Sequence, residues 1–282
     1  MKLVVNYLKE VEDLFDEGKI DFVDYFKLYS LGGDLTPMDW CVEHRPVMFH
    51  GLVGKASVFG DADLIEITDI EKTKEVLIKT KTPYLSGHIC TRNKEQTKEQ
   101  TIEAIKENVK QYREIFGKEI VLENIPYRDY FKHCDYLLDP ELISKIIYDN
   151  DCMFLFDISH ARKAALYLNM PFEEYVSKLP MDRVVEFHLA GMFTMPDGSQ
   201  IDNHGKLNEE DYIFLEEALK KYPTLKYITL EYGSYLPKDK KEEEMPYPVA
   251  SFEKVNPVVK EEVLEQLTRI KGIIEKTEKI KT

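Results

Sequence analysis

The sequence predicts a (β/α)8 TIM barrel, an α/β fold in which eight parallel strands alternate with helices around one core. Eight short apolar segments alternate with helical segments along the 282 residues, a length close to the roughly 250 residues typical of such barrels. Six of these apolar segments end on a histidine or a carboxylate, and the C-terminal ends of the strands are where such barrels carry their chemistry. We find no linker or internal repeat, so residues 1–282 are expected to form a single domain.

The predicted elements follow one another in strict alternation. Strands are expected at Lys2–Leu8 and Asp21–Leu28, and six more end at His50, His88, Glu123, Asp157, His188 and Glu231. Helices are expected at Val11–Gly18, from Thr36, at Glu71–Thr80, Thr97–Phe116, Pro140–Asp149, Ala161–Leu168, Phe172–Leu179 and Asn208–Lys221, and from Asn256 to the end. In Thr97–Phe116 the apolar residues recur every three or four positions, and Gly117 ends the helix. The charged segment at about 236–255 is expected to be an exposed excursion, either a lid or an ordinary surface loop.

Composition excludes several classes of protein. The net charge of −14, from 52 acidic and 38 basic residues, argues against non-specific nucleic-acid binding, which requires a basic surface. No apolar run approaches the roughly 18 residues that a membrane helix needs, and no signal-peptide core precedes the first charges. Four widely spaced cysteines, Cys41, Cys90, Cys134 and Cys152, indicate reduced thiols. We therefore expect a soluble, cytoplasmic protein.

Nine histidine and carboxylate side chains, at strand ends, shortly after one, or in the polar loop that follows the seventh strand, are the candidate metal ligands. They are His50, His88, Glu123, Asp157, His160, His188, Asp202, His204 and Glu231. Burying so many ionisable groups at a barrel mouth is costly unless a cation compensates them. Nine nitrogen and oxygen ligands are too many for one ion and suit two or three ions with bridging carboxylates. Imidazole with carboxylate fits iron, zinc or manganese. His44 and His133 are interpreted as structural, and Cys90 and Cys152 as thiols of the core or wall.

The motifs around these ligands resemble one known family. They are Phe49-His50-Gly51, Ser86-Gly87-His88, Leu122-Glu123-Asn124, Asp157-x-x-His160, His188-Leu189-Ala190-Gly191, Asp202-x-His204-Gly205 and Leu230-Glu231. In this order and spacing they resemble the DUF692 family, the multinuclear non-haem iron-dependent oxidative enzymes (MNIO). The resemblance implies a xylose-isomerase-like barrel that holds two or three irons. It also implies O2-dependent modification of cysteine or other residues in ribosomally made precursor peptides (RiPP biosynthesis), often with a partner protein that presents the peptide.

Similarity to the wider superfamily suggests how the ligands divide. One ion would take His50, His88 and Glu123, a second would share Glu123 and take Asp157, His188 and Glu231, and a third would take His160, Asp202 and His204. Candidate substrate-binding residues are Asn124, Tyr127, Arg128 and Arg162, which closely follow ligand-bearing strands. Asn124 could equally cap its loop. No general acid or base can be named from the sequence.

Two departures from the family pattern keep alternatives open. Tyr232-Gly233 follows the last glutamate where the family usually has Arg-Asp, and Ile89-Cys90 replaces an aromatic pattern after His88. The main alternative is a zinc- or manganese-dependent hydrolase or a sugar isomerase on the same barrel, although no ring-opening lysine or second histidine can be identified. A third interpretation is a metal-storing or peptide-binding barrel without turnover.

Overall fold

A computed structural model describes residues 1–29, 35–54, 58–125, 127–195, 197–235, 245–250 and 254–281. Its strands are β1 Lys2–Asn6, β2 Tyr25–Tyr29, β3 Val47–His50, β4 Leu85–His88, β5 Ile120–Glu123, β6 Met153–Asp157, β7 Val184–Leu189, β8 Gly191–Thr194, β9 Gln200–Gly205, β10 Tyr227–Leu230, β11 Ser234–Tyr235 and β12 Val249–Ala250. Eight of them form one parallel sheet in the order β3-β2-β1-β10-β7-β6-β5-β4. At the seam between β3 and β4 the Gly51 amide donates to the Ser86 carbonyl at 3.0 Å. The sheet is thus a nearly closed barrel, and the predicted fold class is confirmed.

Helices connect the strands on the outside of the barrel. They are α1 Lys9–Asp16, α2 Met38–His44, α3 Leu64–Ile67, α4 Ile70–Thr80, α5 Lys98–Phe116, α6 Pro140–Asp149, α7 Ile158–Tyr167, α8 Phe172–Ser177, α9 Glu209–Lys221 and α10 Pro257–Lys281. The ends of α5 follow the sequence signals: Thr97 and Gln100 form a reciprocal capping box, and Gly117 ends the helix at a φ of +60°. None of the described helices is both long enough and apolar enough to cross a lipid bilayer.

The core has an outer layer between sheet and helices and a small inner layer inside the barrel. The inner layer contains Val4, Met48, Tyr84, Val121, Leu155 and Val185. Successive side chains of a strand point to opposite faces, so residues two apart point the same way. Met48, Val121 and Leu155 each precede a candidate ligand by two residues, which makes this apolar layer the floor beneath the ligands.

The structure differs from the sequence-based prediction after β7. The polar loop expected there is an antiparallel hairpin in which β8 pairs with β9. Helix α7 begins at Ile158 rather than Ala161, because the Asp157 carboxylate accepts a hydrogen bond from the His160 amide and caps the helix directly after β6. Of the expected excursion at 236–255, residues 236–244 and 251–253 lie outside the described residues, whereas β12 pairs with β11.

Candidate metal centre

The nine histidines and carboxylates predicted from the sequence lie together at the C-terminal end of the barrel. They fall into four overlapping groups, and within each group the candidate ligand atoms lie within 4.8 Å of one another. The groups are His50–His88–Glu123, Glu123–Asp157–His160, Asp157–His188–Glu231 and His160–Asp202–His204. Two of these groups are the ligand sets suggested for the first and third ions, and another contains the ligands suggested for the second ion apart from the shared Glu123. The side chains therefore have a spacing that could hold several metal ions.

Glu123 is the centre of the cluster. Its Oε2 lies 3.3 Å from Nε2 of His50 and 3.4 Å from Nε2 of His88. Its Oε1 lies 3.3 Å from Nδ1 of His188 and 3.5 Å from Nδ1 of His160. Burial opposes ionisation of this carboxyl, but the surrounding histidines, His88 and His188 foremost, hold its pKa well below the usual range. A single ionised carboxylate can thus bridge two neighbouring ion positions.

Four buried ligand atoms have no hydrogen-bond partner among the described residues. They are Nε2 of His50, Oε2 of Glu123, Oδ2 of Asp157 and Nδ1 of His188. Buried polar atoms in proteins are nearly always hydrogen-bonded, so each exception calls for an explanation. All four belong to the same cluster, and a cation placed among them would satisfy their lone pairs. The donor atoms of the cluster are therefore suited to binding a metal ion.

Hydrogen bonds behind the ligands fix which atom of each side chain faces the cluster. Nδ1 of His50 is hydrogen-bonded to Oγ of Ser86 at 2.9 Å, and Nδ1 of His160 donates to the Asn124 carbonyl at 2.8 Å. Each ring therefore turns Nε2 toward the interior. Oδ1 of Asp157 accepts from the His160 amide at 2.8 Å, which leaves Oδ2 for the cluster. Such outer contacts orient metal ligands and tune their basicity.

Glu231 and His204 are held by the short segment that departs from the family pattern. The Gly233 amide donates to the His204 carbonyl at 2.8 Å, and Gly233 adopts a φ of +107°, a conformation that favours glycine. The main-chain groups of Tyr232 bond to the side chain of Asn6, with both distances 3.1 Å. Tyr232-Gly233 thus positions two candidate ligands through the backbone, without using the side chains found in the family pattern.

Burial also changes the chemistry of Glu231. Desolvation raises the pKa of this carboxyl to about 7, against a weaker opposing effect of Lys27. The Tyr29 hydroxyl donates a hydrogen bond to Oε1 of Glu231. Glu231 is therefore a candidate ligand from which a bound cation would have to displace a proton at neutral pH or below.

A cavity of about 260 Å³ opens directly above the cluster. It is lined by Tyr29, His50, Val58, His88, Cys90, Glu123, Arg128, Phe131, His160, His204 and Glu231. The side chains of His88 and His204 are 29% and 33% exposed, whereas His50 and His188 are buried. Ions held with His88 or His204 would face the cavity, and an ion held with His188, which does not line it, would lie deeper.

The four candidate substrate-binding residues have different surroundings. Arg128 lines the cavity, is half exposed, and donates to Oδ2 of Asp202 at 2.8 Å. Both polar ends of the Asn124 amide bond to the main chain of Asp157, at 2.9 and 3.0 Å. These bonds match the alternative in which Asn124 fastens its own loop.

Tyr127 and Arg162 are not among the described residues that line the cavity. The ring of Tyr127 stacks on the ring of Tyr167, with the two ring centroids 3.9 Å apart. The guanidinium of Arg162 lies 2.9 Å from the buried Asp211 carboxylate and over the ring of Phe172.

Sequence reasoning missed a polar network beneath the cluster. Lys27 on β2 lies 2.6 Å from Oε1 of Glu186 on β7, and its ammonium also contacts Nε2 of His188. The hydroxyls of Tyr84 and Thr229 donate to the same Glu186 carboxylate. The available signal was spacing: Glu186 precedes His188 by two residues on one strand, so both side chains point into the barrel.

Solved structures of low sequence identity share this fold. A xylose isomerase domain-containing protein from Salmonella typhimurium has a TM-score of 0.63 at 14% identity, with 97% of each chain covered. A D-psicose 3-epimerase has a TM-score of 0.61 at 10% identity, with 97% of this chain and 99% of that chain covered. Endonuclease IV from Thermus thermophilus has a TM-score of 0.55 at 15% identity, covering 98% of this chain and 100% of that chain. The protein is a xylose-isomerase-like TIM barrel with five histidines and four carboxylates gathered at one end.

The sequence comparison narrows this class to one family. The profile of the RiPP precursor modification enzyme family MbnB/TglH/ChrH matches residues 10–244, and the chain belongs to this family. A UPF0276 protein of Shewanella sediminis is 21% identical over 216 residues, covering 72% of this chain and 77% of that protein. A UPF0276 protein of Acaryochloris marina is 24% identical over 195 residues, covering 64% and 68%.

Proposed function

We propose that this protein is a multinuclear non-haem iron enzyme that uses O2 to modify a residue of a ribosomally made precursor peptide, with cysteine as the expected residue. Membership of a family of precursor-modifying enzymes supports the peptide substrate. The observation that best supports a metal site is the set of four buried ligand atoms without hydrogen-bond partners among the described residues. The same donors also suit zinc or manganese, but zinc has no redox chemistry for an O2-dependent reaction.

Two or three ions fit the arrangement of the donors. Glu123 would bridge the ion held by His50 and His88 and the ion held by Asp157, His188 and Glu231, while His160, Asp202 and His204 would hold the third. When bound, such ions supply O2 activation and acidify a coordinated substrate thiol. The protein itself supplies ligand orientation and a partly apolar pocket.

The size of the cavity supports insertion of one side chain rather than a whole peptide segment. At about 260 Å³ it lies below the roughly 300–1,000 Å³ typical of small-molecule pockets. Val58 and Phe131 form an apolar part of the cavity wall, which would limit access of water to the ions. Arg128, half exposed at the rim, is the residue that we propose to contact a carbonyl or carboxylate of the peptide. A partner protein that presents the peptide also belongs to this proposal.

The test is reconstitution under anaerobic conditions with Fe²⁺, Zn²⁺ or Mn²⁺, followed by addition of O2 and a synthetic peptide. The peptide is the product of a short cysteine-containing reading frame sought beside the gene, and the matched control is its Cys-to-Ser version. We expect O2 consumption and a mass change that require both iron and the cysteine.

Two other results would favour the alternatives. Phosphodiester hydrolysis or sugar isomerisation with zinc or manganese, without peptide-dependent O2 consumption, would favour the hydrolase or isomerase. Tight metal binding without any turnover would favour a storage or binding role.

A further inference from the structure

We infer that the buried Lys27–Glu186 pair is a positioning device that makes His188 bind metal through Nδ1. The pair lies one layer below the cluster, with Nζ of Lys27 2.6 Å from Oε1 of Glu186, and the two side chains are 1% and 0% exposed. Both groups reach the same atom of the ligand above them: the Lys27 ammonium contacts Nε2 of His188, and Oε1 of Glu186 lies 3.4 Å from it.

The pair is not explained by stability alone. A buried ion pair often contributes little to stability, because desolvation of two charges offsets their attraction, and apolar replacements of similar volume are frequently neutral or stabilising. The inner layer around the pair is otherwise mostly apolar, including Met48, Val121 and Leu155. An apolar side chain at positions 27 and 186 would match this layer. The direct contact with a candidate ligand is what distinguishes the pair.

The choice of nitrogen sets His188 apart from its neighbours. His50 and His160 use Nδ1 for protein contacts, at 2.9 and 2.8 Å, and turn Nε2 toward the cluster. In His188 the roles are reversed. Nε2 faces the Lys27–Glu186 pair, whereas Nδ1 lies 3.0 Å from Oε1 of Glu231 and 3.3 Å from Oε1 of Glu123.

The two members of the pair offer complementary contacts to Nε2. Lys27 can donate a hydrogen bond to an unprotonated Nε2, and Glu186 can accept one from a protonated Nε2. A contact therefore exists in either form of the ring, and only loss of both partners releases it. Outer contacts of this kind typically change metal affinity by about 10–100-fold when they are removed. The inference rests on the proposed metal site but not on iron or O2 chemistry.

The variant that tests this is Lys27→Met/Glu186→Leu, which removes both charges and leaves neither buried alone. Tyr84→Phe is the matched control, because it removes one hydroxyl from the same network without touching His188. Both variants are compared with the wild-type protein by circular dichroism, thermal unfolding and titration with Zn²⁺ and Co²⁺. We expect the double variant to fold, to bind the ion at His188 about 10–100-fold less tightly, and to show an altered Co²⁺ absorption spectrum. Tyr84→Phe should retain wild-type affinity and spectrum.

A second measurement on the wild-type protein does not depend on how the variant folds. Long-range ¹H–¹⁵N spectra of zinc-loaded protein report which ring nitrogen binds metal. We expect His188 to be bound through Nδ1, and His50 and His160 through Nε2. Zinc on Nε2 of His188, or a folded double variant with unchanged zinc affinity and Co²⁺ spectrum, would overturn the inference. Wild-type protein that binds neither ion would overturn the metal site as well, whereas bound zinc without peptide oxidation would count only against the iron chemistry.

Discussion

Replacing Glu123 by glutamine is the sharpest test of the cluster. The side chain keeps its size but loses its charge, and its amide nitrogen faces imidazole nitrogens that now lie 3.3 to 3.5 Å from the carboxylate oxygens. Glu123 belongs to two of the four ligand groups, whereas His88 belongs to one. We therefore expect Glu123→Gln to lose the ion held with His50 and His88. It should also bind the ion at His188 more weakly, by at least the roughly 10–100-fold that loss of an outer contact costs.

The assay is metal content per chain, measured by elemental analysis after anaerobic loading with Fe²⁺ and gel filtration. Glu119→Gln is the matched control, since it makes the same chemical change at an exposed position just before β5. Unfolding followed by circular dichroism establishes that both variants fold. Glu123→Gln protein that folds and retains the full metal content of the wild type would refute the assignment of Glu123 as a bridging ligand.

Three further predictions concern the residues around the ligands. Asn124→Ala removes both side-chain hydrogen bonds to the Asp157 main chain, and urea denaturation should show a loss of about 1–3 kcal/mol for each group left unpaired; an unchanged free energy of unfolding would contradict this. Gly233→Ala and Gly198→Ala both place alanine at positive φ, at a cost of about 1–2 kcal/mol each. Of these two positions, only 233 has other atoms within 4 Å of the added Cβ. Gly233→Ala should therefore be the more destabilising substitution. In metal-free protein the pKa of Glu231 is raised from 4.5 to about 7. Between these values the unfolded chain releases a proton that the folded chain keeps, so stability should fall as the pH rises through this window and level off above it. Glu231→Gln should remove that part of the pH dependence of thermal unfolding, and parallel curves would contradict the shift.

The ligand cluster could be predicted from the sequence because each strand-end ligand interrupts an apolar run in a recognisable place. His50, Glu123 and Asp157 each end such a run, and a parallel barrel brings all strand ends to one rim. The positions of these residues at the ends of apolar segments are then enough to predict that their side chains lie close together in the folded protein.

Contacts beyond the strand ends could not be predicted in the same way. Arg162 follows His160 by two residues, and on a helix two residues turn the side chain by about 200°, which directs Arg162 to Asp211 and away from the cavity. The pairing of β8 with β9 was missed because polar residues between two strands are equally typical of a loop. The departure at Tyr232-Gly233 acquires a meaning only when the Gly233 amide is seen to hold the His204 carbonyl.

By itself, the sequence determined the barrel and the set of side chains that meet at its mouth, because apolar periodicity and strand-end ligands are local patterns. Only the tertiary structure decided which atoms of those side chains face one another. The residues next to Lys27 in the sequence do not indicate that it pairs with Glu186, which lies 159 positions away. The closed sheet places it beneath His188, because closure turns alternate residues of distant strands toward one shared interior.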